Sequence, residues 1–162
     1  MAVGTDDGAL KLFDISGPVP SPLPNPPSPP PLIATLQSSG TAPAAVSLSS
    51  DGSVVAAGSG NLVLTWQQFG SSWQPKYNLV GHTGAVQSVA TSSNGRHVHS
   101  GGCDATVRAW DLTVGAQEGP AMPIGGASTC AMLVAVGADG RSVAAAGNGD
   151  SLIRLWASWS LG

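Results

Sequence analysis

Three tryptophans set the frame for this chain. Trp66, Trp110 and Trp156 stand 44 and 46 residues apart, and the turn pairs Asp51-Gly52, Asn94-Gly95 and Asp139-Gly140 recur at 43 and 45. A chain that repeats a turn and an aromatic at a near-constant interval folds as an array of similar units. Between these markers lie many short apolar runs, punctuated by Gly, Asp and Ser. That pattern specifies strands joined by tight turns, so the chain is expected to be all-β. No run approaches the roughly 18 apolar residues that a membrane-crossing helix needs.

The most complete unit runs from Leu79 to Asp111. It reads Leu-Val-Gly-His-Thr-Gly-Ala-Val-Gln-Ser-Val-Ala, a Ser/Asn/Gly turn, Arg-His-Val-His-Ser-Gly-Gly-Cys-Asp and Ala-Thr-Val-Arg-Ala-Trp-Asp. Gly81-His82 near its front and Trp110-Asp111 at its end make this stretch similar to one whole repeat of the WD-repeat family, whose period is about 40–45 residues. Other segments keep the rhythm. Ala9–Asp14 parallels Thr106–Asp111 with Phe13 at the tryptophan position, and Leu152–Trp156 repeats the pattern. Lys11, Arg108 and Arg154 each stand two residues before the aromatic. The resemblance covers most of the chain outside residues 15–31 and 112–120.

It implies a WD-repeat β-propeller fragment: about three and a half four-stranded antiparallel blades in an open arc, where closed propellers have four to eight. The expected division is a partial first blade over 1–36 with a proline-rich loop at 17–31, a second over 43–80, a third over 85–124 and a partial fourth over 129–162. Strands are expected at 2–4, 9–14, 32–36, 44–48, 53–57, 62–66, 76–80, 85–90, 97–100, 106–110, 131–136, 142–146 and 152–156. A weak strand is placed near 121–124, and a last one begins at 158–161. An open arc leaves blade faces uncovered, to be completed by further blades of a longer chain or by a second chain.

Charge and cysteines narrow the function. The net charge is −3, and the six basic residues are scattered singly. Nucleic-acid affinity depends on neutralising several phosphates together, so a nucleic-acid partner is not expected. The first residues, Met-Ala-Val-Gly-Thr-Asp-Asp, have neither the basic region nor the apolar core of a signal peptide. Cys103 and Cys130 have no metal spacing, and two cysteines make no disulfide framework. The setting expected is therefore reducing and intracellular, most simply the cytoplasm, with no membrane partner and no cofactor.

Within the repeat, a serine, a histidine and an aspartate invite a hydrolase reading, but no nucleophile elbow or oxyanion-hole motif accompanies the serine. The resemblance implies instead a structural tetrad in which His82, Ser100, Asp104 and Trp110 hydrogen-bond in series. A buried indole must donate its N–H, and a serine hydroxyl can accept and pass on a bond. The other units depart from this set. The histidine position holds Ser39-Gly40-Thr41 in the second and Gly125-Gly126-Ala127 in the fourth. The serine position becomes Val3 in the first and Ala146 in the fourth. Asp7 and Asp150 keep the aspartate, with Gly60 near that place in the second. His97 and His99, two apart on one strand, share a face but lack a third ligand at metal spacing. Cys103 is read as a small turn residue.

Alternating strands place the loops at two rims. One carries residues 38–43, 81–84, 101–104 and 125–128. The other carries the proline tract, Gln67–Pro75 and the three Asp-Gly or Asn-Gly turns. Nine of the fourteen positions from 18 to 31 are proline, which lacks a ladder N–H and favours an extended connection. Pro24, Pro27 and Pro30 have the P-x-x-P spacing that aromatic grooves bind. Phe69 and Trp73, in a Gly/Ser-rich loop of the same rim, are candidate interface anchors.

The function implied is a non-catalytic platform that assembles other proteins into a complex, with no chemistry of its own. The narrower alternative is the substrate-recognition subunit of a ubiquitin ligase. Such receptors in the family often carry an arginine two residues after the terminal aspartate, where this chain has Ser16 and Thr113. The paired-arginine motif of lipid-binding members is absent as well.

Overall fold

A computed structural model describes residues 2–4, 9–15, 30–38, 41–126, 129–138, 140–149 and 151–157. Those residues form strands and turns with no helix. Sheet I contains β1 (Ala2–Gly4), β2 (Ala9–Phe13) and β3 (Leu32–Gln37). Sheet II contains β4 (Ala45–Leu48), β5 (Val54–Ser59), β6 (Leu62–Phe69) and β7 (Ser72–Val80). Sheet III contains β8 (Val86–Thr91), β9 (His97–Gly102), β10 (Thr106–Asp111) and β11 (Ala116–Pro123). Sheet IV contains β12 (Ala131–Val136), β13 (Ser142–Gly147) and β14 (Ile153–Ala157). Each sheet is an antiparallel meander in chain order, and the four do not close into a ring.

Turn chemistry sets this spacing. Asn94 Oδ1 accepts hydrogen bonds from Ser92 Oγ and Arg96 N, while Gly95 N donates to Ser92 O. Asp51 does the same with Ser49, Ser53 and Gly52. Gly95 adopts φ 64°, a left-handed conformation that glycine takes without a Cβ clash.

Apolar alternation then stacks the sheets. Val55 and Ala57 pack with Leu64 and Trp66 against Leu10, Leu12 and Leu36 of sheet I. Their neighbours Val54 and Ala56 face the other way, onto Val86, Val89, Val98 and Trp110 of sheet III. Every residue of β5 is buried, as expected for a strand covered on both sides. A third cluster joins Val107, Ala109, Met122 and Ile124 to Ala131, Val143 and Ala145 of sheet IV. The first strands of sheets II to IV are tied laterally: Ser47 Oγ pairs with Thr91 Oγ1 at 2.8 Å, and Ser88 Oγ accepts Val134 N–H at 2.9 Å. On the far side of sheet IV, Leu133, Ile153 and Leu155 are exposed.

Three expectations need correcting. Gln67–Pro75 is not a loop, because β6 and β7 continue through it and pair Gln68 with Trp73 and Phe69 with Ser72. Gly70, at φ 60°, lets the chain reverse in two residues. The weak strand near 121–124 is the full-length β11, hidden from an apolar pattern because it is an outer edge strand. Pro120 is tolerated there since no strand lies beyond it. Finally, Cys103 is not merely a small turn residue: it forms a disulfide with Cys130, 27 residues away. One such bond needs no framework, only two turns that meet in space, so the cysteines no longer argue for a reducing compartment. The strand expected at 158–161 lies outside the described residues.

His99 is placed by the same alternation. It shares a face with Gly101, whose added Cβ would lie 2.6 Å from that of Ala131, so His99 is directed at sheet IV. It is 1% exposed, and neither ring nitrogen has a hydrogen-bond partner. Burial, with His97 nearby, pushes its pKa down to about 4. The unfolded chain therefore binds a proton between pH 6.5 and 4 that the folded chain refuses, and stability falls as pH drops through that window. His82 is lowered as well and adds with the same sign. The depressed carboxylates Asp51, Asp104 and Asp111 act below 3.8. Urea titrations at pH 7 and pH 4 should differ by up to about 3 kcal/mol from His99 alone. His99→Leu should remove most of that difference, and an unchanged acid sensitivity would refute the placement.

Candidate functional site

Sheet III gathers His82, Ser100, Asp104 and Trp110 from four different places. Trp110 lies in β10, Ser100 opposite Arg108 in β9, Asp104 in the turn between them, and His82 in the connection arriving from β7. Trp110 Nε1 lies 2.7 Å from Ser100 Oγ, Ser100 Oγ 2.8 Å from His82 Nε2, and His82 Nδ1 2.9 Å from Asp104 Oδ2. An indole N–H can only donate and a carboxylate can only accept, so Trp110 donates to Ser100 and His82 Nδ1 to Asp104, and a neutral imidazole leaves Nε2 to accept from Ser100. The order requires a neutral imidazole. Burial holds His82 below the usual histidine range despite the opposing pull of Asp104.

Asp104 anchors the far end. Burial alone would raise its pKa, but bonds from Thr106, from Thr83 N–H and from His82 outweigh it and hold the carboxyl below its ordinary value. Thr106 Oγ1 donates at 2.7 Å and Thr83 N at 3.0 Å. Gly102 leaves room for the imidazole, since a Cβ there would sit 2.6 Å from His82 Nδ1. Ala105, next in the turn, has φ 59° and is the sole non-glycine residue with positive φ among those described.

The neighbouring sheets lack this chain of donors. Trp66 pairs with Val55 and Trp156 with Val143, as Trp110 pairs with Val98. Two residues on, the place of Ser100 is taken by Ala57 in sheet II and by Ala145 in sheet IV, both buried. In sheet IV that is one residue before the Ala146 chosen on sequence spacing. Val3 lies in β1 opposite Lys11, while Ser39, Gly40, Asp7 and Asp150 fall outside the described residues.

The second candidate region is the opposite rim. Phe69 ends β6 and is 60% exposed, while Trp73 is half-buried against the apolar cluster shared by sheets I and II. A groove beside Trp73 is lined by Leu12, Phe13, Ile33, Leu48, Gln68 and Trp73, whereas Phe69, on the face of Gln67, points to the other side of sheet II. Trp73 Nε1 is buried with no hydrogen-bond partner. Pro30 is exposed at the end of the proline tract, whose described ends are joined by Asp14 N donating to Pro31 O at 2.9 Å. Pro24 and Pro27 lie outside the described residues.

Sequence reasoning missed what lies one sheet further along that rim. Lys76 and Arg96, scattered in sequence, line one polar groove with Gln67, Tyr77, Asn94 and Thr113. Burial lowers the Lys76 pKa, and Asp111 opposes the shift. The offset of 20 between these two cations carries no motif, so only the pairing of sheets reveals them. His97 is engaged elsewhere, with Nδ1 3.2 Å from Glu118. Among the described residues, no three His, Cys, Asp or Glu side chains come together as a metal site would require. No helix among them is long and apolar enough to cross a membrane.

The family model described as "WD domain, G-beta repeat" matches residues 73–111. That span runs from β7 of sheet II through β8, β9 and β10 of sheet III, and contains His82, Ser100, Asp104 and Trp110. No curated protein matches the chain.

Removing the imidazole leaves a buried hydroxyl and a carboxylate short of partners, which costs about 3 kcal/mol. His82→Ala should therefore lower Tm by roughly 6–12 °C. A Tm within a degree of the parent would show that the four residues do not act as one network. Ala105→Gly relieves a left-handed alanine and should raise stability by about 0.5–1 kcal/mol. A fall in differential scanning fluorimetry would refute that.

Proposed function

We propose that this chain, which belongs to the WD-repeat family, is a non-catalytic platform for assembling a multiprotein complex, and that partners dock on the rim carrying Phe69 and Trp73. WD repeats serve generally as protein-interaction scaffolds; the docking rim is the narrower claim. The observation that carries it is the Trp73 indole. Its N–H is buried without an acceptor in a groove of apolar side chains. An unsatisfied buried donor is costly, and a docked peptide that shifted the indole enough to expose its N–H to a peptide carbonyl would remove that cost while its side chain filled the groove. Phe69, 60% exposed on the opposite face of the same hairpin, is the kind of rigid aromatic that dominates interface energies. The exposed Ile33 extends the same surface, and Pro30, also exposed, stands three residues before it.

His82, Ser100, Asp104 and Trp110 have a structural role in this reading. The rival is a serine hydrolase, and the hydrogen-bond order is in its favour, because serine to histidine to aspartate is the triad sequence. Access is against it. Ser100 is fully buried, and its oxygen already accepts the Trp110 N–H. A fluorophosphonate probe should leave Ser100 unlabelled. A ubiquitin-ligase receptor remains a special case of the platform, and Thr113 gives it no support: its backbone N–H and hydroxyl both bond Asp111 Oδ1 at 2.6 Å.

A photo-crosslinking amino acid at position 69 should trap a discrete partner in cell extract. The same group at exposed position 83, on the opposite rim, should trap none, and Trp73→Phe should weaken the adduct about tenfold by removing the indole donor. Equal capture from both positions would place docking elsewhere.

A further inference from the structure

The three interfaces between sheets are not equally furnished. Sheets I and II share four leucines and Trp66, and sheets II and III share Trp110, Leu79 and Leu112 with a set of valines. Between sheets III and IV, three of the seven buried apolar residues are alanine: Ala109, Ala131 and Ala145. An alanine removes less apolar area from water than a leucine or tryptophan does, so each of these three positions contributes less hydrophobic attraction. His99 weakens this junction further, since a buried imidazole with both nitrogens unbonded has lost its hydration without compensation.

This same junction is crossed by a covalent bond. Cys103 sits in the turn between β9 and β10, where its N–H donates to Ala85 O at 2.8 Å. Cys130 directly precedes β12, with its N–H donating to Asn148 Oδ1 at 2.8 Å and its carbonyl accepting Asn148 N–H at 3.2 Å. Each cysteine is thus held to its own sheet by its backbone, and the sulfur atoms alone join the two. Opening the bond breaks no hydrogen bond within either sheet. Both residues are half-buried and neither is sealed in the core.

We propose that Cys103–Cys130 is a thiol-reversible clamp between sheets III and IV, closed by oxidation and opened by a low-molecular-weight or protein thiol. A reductant thiolate attacks one sulfur, forming a mixed disulfide and releasing the other cysteine as a thiolate that takes up a proton. A second thiol attacks the mixed disulfide. Two cysteine thiols and one reductant disulfide result, with two electrons passed to the protein. A small disulfide such as oxidised glutathione reverses both steps and is reduced to two thiols. Opening separates the turn before Asp104 from the connection before β12, so it reshapes the His82 rim. The Phe69 and Trp73 rim, on sheets I and II, lies outside its reach, and the clamp does not depend on where partners dock.

The test needs no variant to begin. The chain treated with oxidised glutathione should show no free thiols in denaturant and two after dithiothreitol. Hydrogen exchange followed by mass spectrometry should speed up about tenfold across β12–β14 on reduction, stay within about twofold across β5–β7, and return on reoxidation. Cys103→Ser combined with Cys130→Ser should exchange like the reduced chain and ignore dithiothreitol. Two thiols persisting after oxidation, unchanged exchange in β12–β14 on reduction, or protection that fails to return would each overturn the clamp.

Discussion

Burial of β-strands on both faces is the condition on which the rest of this structure depends. In β5 no residue reaches solvent, because Val54 and Ala56 serve one neighbouring sheet while Val55 and Ala57 serve the other. A sheet covered on both sides cannot use a polar face to signal its orientation. Its position must come from its ends, where turns and connections carry the polar groups. The Asn94 and Asp51 turns do this at one rim, and the His82–Asp104 link does it at the other.

That explains why the polar chain from Trp110 to Asp104 exists whole in sheet III and is missing at its counterpart positions in sheets II and IV. A buried network is favourable only when every member is satisfied. Once His82 is replaced by glycine or a small residue, a serine at the Ser100 position would keep a hydroxyl with no acceptor. Alanine at positions 57 and 145 avoids that cost and fills the space with apolar contact. At sheet IV the contact is made by small side chains and the unbonded His99, and the Cys103–Cys130 bond supplements it.

Much of this was legible in the sequence, for physical reasons that differ by residue. Strands β8, β9, β10, β12 and β13 show themselves because buried strands are apolar runs bounded by turn residues, and their limits fall within a residue or two of the expected ones. The outer strands were harder. β11 reads Ala-Gln-Glu-Gly-Pro-Ala-Met-Pro, which looks like a loop because an edge strand has solvent on one side and needs no apolar period. The extension of β6 and β7 was hidden because Gly70 and two serines suggest a loop, whereas pairing across a two-residue turn absorbs them. The displacement from Ala146 to Ala145 arises from strand register, which residue spacing alone does not set.

Composition and order along the chain determined the repeat, the all-β class, the turns and the residues of the His82 chain, since each depends on local backbone preference or on a spacing within one repeat. What only the tertiary structure decided involves residues from different units. The Cys103–Cys130 bond, the Trp73 groove between sheets I and II, the Lys76 and Arg96 pair and the burial of His99 all arise where sheets stack. Stacking is driven by apolar area without direction, so which side chains meet across it follows from register and twist. Those belong to the assembled sheets, and no short stretch of sequence encodes them.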